Sequence, residues 1–286
     1  MSNPSLSRGE LVRYVLIYAA VAVLVLFTCV PILWLVIMSI SSAQELTAVP
    51  LHWIPKSPDF SRYARLLGLT SDGSENIFLP ALRNSVITAG GATLVAMAAA
   101  IPAAYAMSRR NAPRAMLFVM LATFMVPPIT YALPLYTGLG KIGLLNTSAG
   151  LIIIYSALLL PFAVWLTKTN IDILPVSLEE AAMLDGAGTL RIMWSVLLPI
   201  ARPALVAAAM LSFLTAWDEF FYALLFTSDL RAKTLPVAIA DFAAGRVTDY
   251  GMVSAIGVLA AIPPVILAIF FQKSLIAGLS SGSVKG

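Results

Sequence analysis

Two carboxylates stand side by side between aromatic residues at Trp217-Asp218-Glu219-Phe220, inside an otherwise apolar segment from Pro203 to Ser228. Carboxylates accept hydrogen bonds from hydroxyl groups, and rings pack on the apolar face of a sugar. The quartet therefore has the chemistry to hold a polyhydroxylated solute. A charge at the middle of a membrane helix costs at least ~2.5 kcal/mol and is by default a functional candidate. The competing reading is that one carboxylate is protonated, or paired with a polar group of a partner helix at a subunit interface. Adjacent helix positions point about 100° apart, so only one of Asp218 and Glu219 need face a pathway.

A second group of residues with local logic is LPVSLEEAAMLDGAGTLRIMWSVLLPIARPAL at 174–205. Pro175 bars continuation of whatever helix precedes it. Ser177 and Glu180 stand at capping-box spacing, which predicts a short helix from Leu178. Ala181 and Ala182 lack bulk and permit close approach by another surface. The helix is expected to stop at Gly186 or Gly188. Thr189 is expected to cap a second helix whose apolar face, Ile192 and Val196, runs to Pro199.

Other chemistries lack their residues. One cysteine, Cys29, and one histidine, His52, leave no zinc set. Cys29 reads as a small buried hydrophobe and His52 as an exposed loop residue. GLGKIG at 138–143 is too short for a phosphate loop. The apolar stretches hold no Ser/His or Ser/Lys nucleophile arrangement, which argues against a membrane-embedded enzyme.

The elements that must position these residues are membrane helices. Of 286 residues, 60% are hydrophobic and 11% charged, and the mean hydropathy is +0.91. A soluble domain carries about 25% charged residues, so the chain is an integral membrane protein. The 18 basic and 14 acidic residues are too sparse for a nucleic-acid footprint.

A span needs about 20 apolar residues. Charge-free stretches of that length are Tyr14–Gln44, Asn84–Ser108, Ala115–Gly140, Ile142–Thr167 and Tyr250–Gln272. With the Pro203 segment they predict an all-α protein forming a single six-helix domain over 1–286. The expected spans are about 14–40, 84–108, 115–137, 146–167, 203–228 and 250–273, with a loop at 175–200 and a tail at 277–286. The first span lacks the pattern of a removable signal peptide. Arg109, Arg110 and Arg114 cluster in one turn, and the positive-inside rule places that turn in the cytoplasm with both termini and the 168–202 segment. Residues 41–82 and 229–249 then become external connections. Pro102, Pro127, Pro128, Pro134, Pro161, Pro263 and Pro264 invite kinks.

The loop resembles the "EAA" loop of binding-protein-dependent ATP-driven importers: Glu180-Ala181-Ala182, then Asp185-Gly186, then Val196 where Ile is usual, then Leu198-Pro199. The resemblance narrows to permease subunits of carbohydrate importers of the maltose and trehalose type. It is carried by Leu82-Arg83-Asn84-Ser85, Met125-Val126-Pro127-Pro128, Pro134-Leu135-Tyr136 and the 217–220 quartet. The tail from Gly278 through Val284, Lys285 and Gly286 is similar to that of the second, shorter permease subunit of the maltose importer.

The resemblance implies a type I importer permease fold in a prokaryotic cytoplasmic membrane. Glu180, Ala181, Ala182, Asp185, Gly186, Leu198 and Pro199 would belong to a coupling helix that docks on an ATPase subunit. Asn84 and Tyr131 join Trp217, Asp218, Glu219 and Phe220 as pathway candidates, although the family usually carries Asn at the position of Asp218. Val284, Lys285 and Gly286 would reach the interface between the ATPases. The chain itself would hold no cofactor or metal and would not be an enzyme, since ATP and Mg bind the two partner ATPases. The other implied partners are a second permease, an external solute-binding protein, a di- or oligosaccharide and the lipid bilayer. A stand-alone ion-coupled transporter is the rival reading, and it leaves the EAA spacing unexplained.

Overall fold

Every regular element among the described residues of the computed structural model is a helix; these residues are 8–49, 53–70, 76–110, 112–244 and 249–280. In chain order they are α1 (Arg8–Ile40), α2 (Ala43–Leu46), α3 (Ser61–Leu66), α4 (Phe78–Arg109), α5 (Arg114–Ala122), α6 (Pro128–Lys141), α7 (Ser148–Asp172), α8 (Ser177–Leu184), α9 (Thr189–Ile192), α10 (Leu198–Trp217), α11 (Phe221–Phe226), α12 (Leu235–Ala243) and α13 (Tyr250–Ser280). Among the described residues five helices are long and apolar enough to cross a membrane, and six if one bent pair counts as a span. His52 and the terminal Val284, Lys285 and Gly286 lie outside the described residues.

The chain divides into two compact units. In the first, Met1–Asp72 with Phe242–Leu259, α1 exposes apolar side chains along most of its length. Cys29 is among the exposed residues of α1, not buried as its apolar surroundings suggest, because every position around it faces outward. The end of α1 is tied down by Arg62 of α3, 4% exposed, which donates to the carbonyl of Ser41 at 2.6 Å and pairs with Asp249 at 3.4 Å. Arg62 also donates to the carbonyl of Ser39 at 3.4 Å, in the last turn of α1, where a helix end leaves carbonyls without partners.

In the second unit, Gly73–Asp241 with Ala260–Gly286, α4 carries a stripe of small residues, Ala81, Ser85, Ala89, Ala92, Ala96, Ala100 and Ala104, all buried. Small residues let helix backbones approach closely where lipid offers no hydrophobic drive for association. The α4 backbone does so against α7: Ser156 Oγ donates to the Ala92 carbonyl and Ser108 Oγ to the Asp172 carboxylate. Both pairs are 64 residues apart, so α4 and α7 run parallel and in register. Thr147 caps α7 by accepting from Gly150 N–H at 3.1 Å. Met97, Ala100 and Met107 meet Ala163, Val164 and Ala208, joining α4 and α7 to α10.

The stretch expected as one span at 115–137 is broken. Residues 115–125 and 128–141 are bent by 92° to each other. Val126 is extended at the break (ψ 122°) and Pro127-Pro128 follow, opening α6. A residue before proline is pushed out of the helical region, and consecutive prolines remove two donors. The remaining prolines of this kind, Pro102, Pro134, Pro161, Pro263 and Pro264, sit inside continuous helices.

Candidate functional site

Between α7 and α10 the chain leaves the long helices and returns through α8 and α9. Val176 is already helical, and Glu179 and Glu180 N–H both donate to its carbonyl, at 2.9 and 3.1 Å. Ser177 is therefore the first helical residue, and the expected Ser177–Glu180 capping box does not form: α8 has no side-chain cap at its start. Its end is closed by a paired carbonyl motif. Gly186 (φ +79°) donates to Met183 at 3.0 Å and Ala187 to Ala182 at 2.9 Å, a turn in which only a residue tolerating positive φ fits at 186.

Thr189 does not cap the next helix. Its Oγ1 accepts from Arg110 at 3.0 Å, and Gly188 stands at the cap position. The helix does not end at Pro199 either, but passes through a π-turn over Met193–Leu197 straight into α10. Leu198 N–H reaches back five residues to the carbonyl of Met193. Pro199 has no N–H and its ring crowds the carbonyl four residues earlier, which favours a wider turn there. The buried side chains are consequently Ile192, Met193 and Leu197, and Val196, expected beside Ile192, is only partly covered.

The root of α8 is Glu179. Its side chain is 2% exposed, and it accepts from Arg109 Nε and from Tyr105 OH at 3.2 Å. The other arm of Arg109 donates to the carbonyls of Ile171 at 3.1 Å and Leu174 at 2.9 Å, at the end of α7. Ile192, Met193 and Leu197 pack on Ala104, Tyr105 and Ile171 beside this cluster. The end of α4 from Tyr105, with Arg110 directly after it, thus touches α7, α8 and α9.

On the opposite side α8 faces outward. Glu180, Ala181, Asp185 and Gly186 are exposed, as are Leu184 (90%), Leu190 (70%) and Met183 (55%). Ala182 and Leu198 are half-buried and Pro199 is exposed in the first turn of α10. Exposed apolar residues gathered around a short helix are the mark of a surface that meets another protein or the membrane. The sequence drew attention to Glu180 and passed over Glu179, because nothing in two adjacent glutamates says which one turns inward. Arg109 was legible only as a topology signal.

The 217–220 quartet is not in the middle of a helix. Thr189–Trp217 is continuous over 29 residues, enough for a span at about 1.5 Å per residue, and the chain breaks where that length is used up. Asp218 is the exposed C-cap of α10. Glu219 accepts from the N–H groups of Tyr222 at 2.9 Å and Ala223 at 3.2 Å, capping α11. Trp217 is buried against Phe213, with centroids 5.6 Å apart, and Phe220 is 39% exposed. Tyr131 lines a cavity of about 310 Å³ with Phe124, Leu135, Ile154, Pro161 and Tyr222, at the break between α5 and α6. Asn84 is elsewhere: its amide donates to the carbonyls of Leu230 and Lys233, while Ser85 Oγ accepts from Leu235 N–H at 2.8 Å.

Residues 92–281 match the family described as binding-protein-dependent transport system inner membrane component. The chain is 34% identical to the trehalose/maltose transport system permease protein MalG of Thermococcus litoralis, over 98% of this chain and 99% of that one. It is 31% identical to the sulfoquinovosyl glycerol transport system permease protein SmoH of Agrobacterium fabrum, over 100% and 98%. It is 33% identical to the trehalose transport system permease protein SugB of Mycobacterium tuberculosis, over 91% and 93%. Among solved structures, a bacterial ABC transporter involved in import of the acidic polysaccharide alginate aligns with a TM-score of 0.78 at 24% identity, over 95% of this chain and 99% of that one.

Proposed function

The chain belongs to the family of binding-protein-dependent transport system inner membrane components, and on that premise we propose how its parts serve ATP-driven carbohydrate import. It forms half of a translocation pathway together with a second permease. Two separate ATPase subunits bind ATP and Mg and hydrolyse the nucleotide, and an external solute-binding protein delivers the sugar. A di- or oligosaccharide fits best, given relatives named for trehalose, maltose and a sulfoquinovosyl glycerol. The chain lies in a prokaryotic cytoplasmic membrane with both termini, the 109–114 turn and α8 on the cytoplasmic side.

The observation that carries this reading is the two-sidedness of α8. It is rooted in the long helices by buried Glu179 and presents Leu184 at 90% exposure on the other face. That is the form required of a helix that seats in a cleft of an ATPase and passes its motion to the spans. Glu180, Ala181, Ala182, Asp185 and Gly186 form the docking surface. Leu198 and Pro199 join it to α10, and the Val284–Gly286 tail adds a contact with the ATPases.

In the pathway, Asp218 and Phe220 at the α10–α11 break and Tyr131 at the α5–α6 break face the sugar. Trp217, Glu219 and Asn84 hold the frame around them. The test is affinity purification of the tagged chain from its native membrane in mild detergent, followed by mass spectrometry. An ATPase and a second multi-span permease are expected. Recovery of the chain alone, still competent for ion-driven uptake in vesicles, would replace this reading with that of a secondary transporter.

A further inference from the structure

We infer that Arg109 is the positioning residue through which the motion of α8 reaches the membrane helices, acting by its buried ion pair with Glu179. The inference rests on the coupling role proposed for α8. Along the chain, α8 is attached at each end by segments that bend: Pro175 on one side, and Gly186 and Gly188 on the other. Backbone joints of this kind let a helix swivel when pushed from outside. A tie formed by side chains is what prevents it.

The Arg109 guanidinium, 11% exposed, donates through Nε to Glu179 and through Nη2 to the carbonyls of Ile171 and Leu174. One rigid planar group thereby fastens α8 to the last turn of α4 and to the end of α7. A planar fork can hold a carboxylate and carbonyls in fixed directions together, which a lysine ammonium on a flexible stem cannot. Tyr105 OH adds a second donor to the same carboxylate, and Ser108, the residue before Arg109, joins α4 to Asp172. Because α4 and α7 are in close parallel register through the alanine stripe, a displacement of Glu179 carries both helices with it. Glu180 can then be free for the docking surface because its neighbour is committed to transmission.

The test follows the separation of α8 from α4 in the assembled complex. With Cys29 replaced, nitroxide labels are placed at Leu178 on α8 and Ala98 on α4, and distances are measured by pulsed electron resonance in the nucleotide-free and vanadate-trapped states. In the wild-type background the distribution should stay narrow and unshifted between the two states, since the helices move as one body. In Arg109→Lys and Glu179→Gln it should broaden and shift on trapping, while the ATPase still co-purifies and hydrolyses ATP.

A wild-type distance that changes between states, or variants that keep the wild-type distribution, would overturn the inference. If Glu179→Gln does not assemble, Arg109→Lys carries the comparison, because it keeps the charge opposite Glu179 and loses only the fork. If no ATPase accompanies even the wild-type chain, it is the coupling role of α8 that falls.

Discussion

Asn84, near the start of α4, holds the carbonyl of Leu230, 146 residues further along the chain, at 2.9 Å, and the same amide nitrogen reaches Lys233 at 3.0 Å. Both amide hydrogens of one buried side chain are spent on the segment that leads into α12. Asn84→Ala should leave two carbonyls without this donor, each worth about 1–3 kcal/mol when buried and unsatisfied. The expected outcome is a lower melting temperature of the purified complex together with loss of uptake. Uptake lost at an unchanged melting temperature would instead make Asn84 a ligand of the solute.

Leu184 is the most exposed of the large apolar residues on α8. Leu184→Ala should leave the stability of the permease within about 0.5 kcal/mol of wild type. If the side chain is an anchor of the interface, association with the ATPase should weaken by about 2 kcal/mol, a factor of roughly 30. Thermal unfolding of the detergent-solubilised permease measures the first, and titration of ATPase onto it the second.

Glu180→Gln isolates the charge. Since no side chain caps α8, the substitution has no cap to break and the helix should persist. Uptake should fall while assembly is retained. Wild-type uptake by Glu180→Gln rules out an essential carboxylate at the docking surface.

Asp218→Asn should be well tolerated. Asp218 is exposed at the end of α10, and asparagine serves at a helix end as readily as aspartate. Assembly should be unchanged and the uptake rate within about a factor of two. Loss of the complex would place Asp218 at a subunit interface in contact with a partner group.

Ala96 lies in the stripe of α4 that faces α7 and is 1% exposed. Ala96→Leu forces extra volume into a close backbone approach and should cost about 1–3 kcal/mol, read as a drop in melting temperature. A larger side chain at Val95, half-exposed on the same helix, should leave the melting temperature unchanged.

The membrane class, the long helices and the outline of the α8 region were legible because they depend on composition, charge-free length and the positions of Pro175, Gly186 and Gly188. Where the sequence misled, a competing local choice had won. Ser177 has the residue type of a cap, but Val176 already takes helical angles, so the serine lies one position too far in. Glu219 has the residue type of a sugar ligand, yet its carboxylate serves the first N–H groups of α11. The Arg109–Glu179 pair joins residues 70 apart, and no local pattern announces such a pairing. The alanine spacing of α4, a signal of close helix packing, was present in the sequence and was passed over.

The π-turn at Met193–Leu197 sets the rotational phase between two parts of the protein. It takes in one residue more per turn than an ordinary helix, so the face that α10 turns to α4 and α7 is offset from the face that α9 presents by an amount this turn fixes. Each residue of helix advances the chain by about 100° and 1.5 Å. Removing one residue from 193–197 would restore an ordinary helix, yet it would swing α8 and α9 about the axis of α10 by that angle and carry Glu179 away from Arg109. Length in this segment is therefore under a stricter constraint than residue identity: it can exchange one apolar side chain for another, but it cannot lose or gain a residue without turning the outward face of α8 to a new direction.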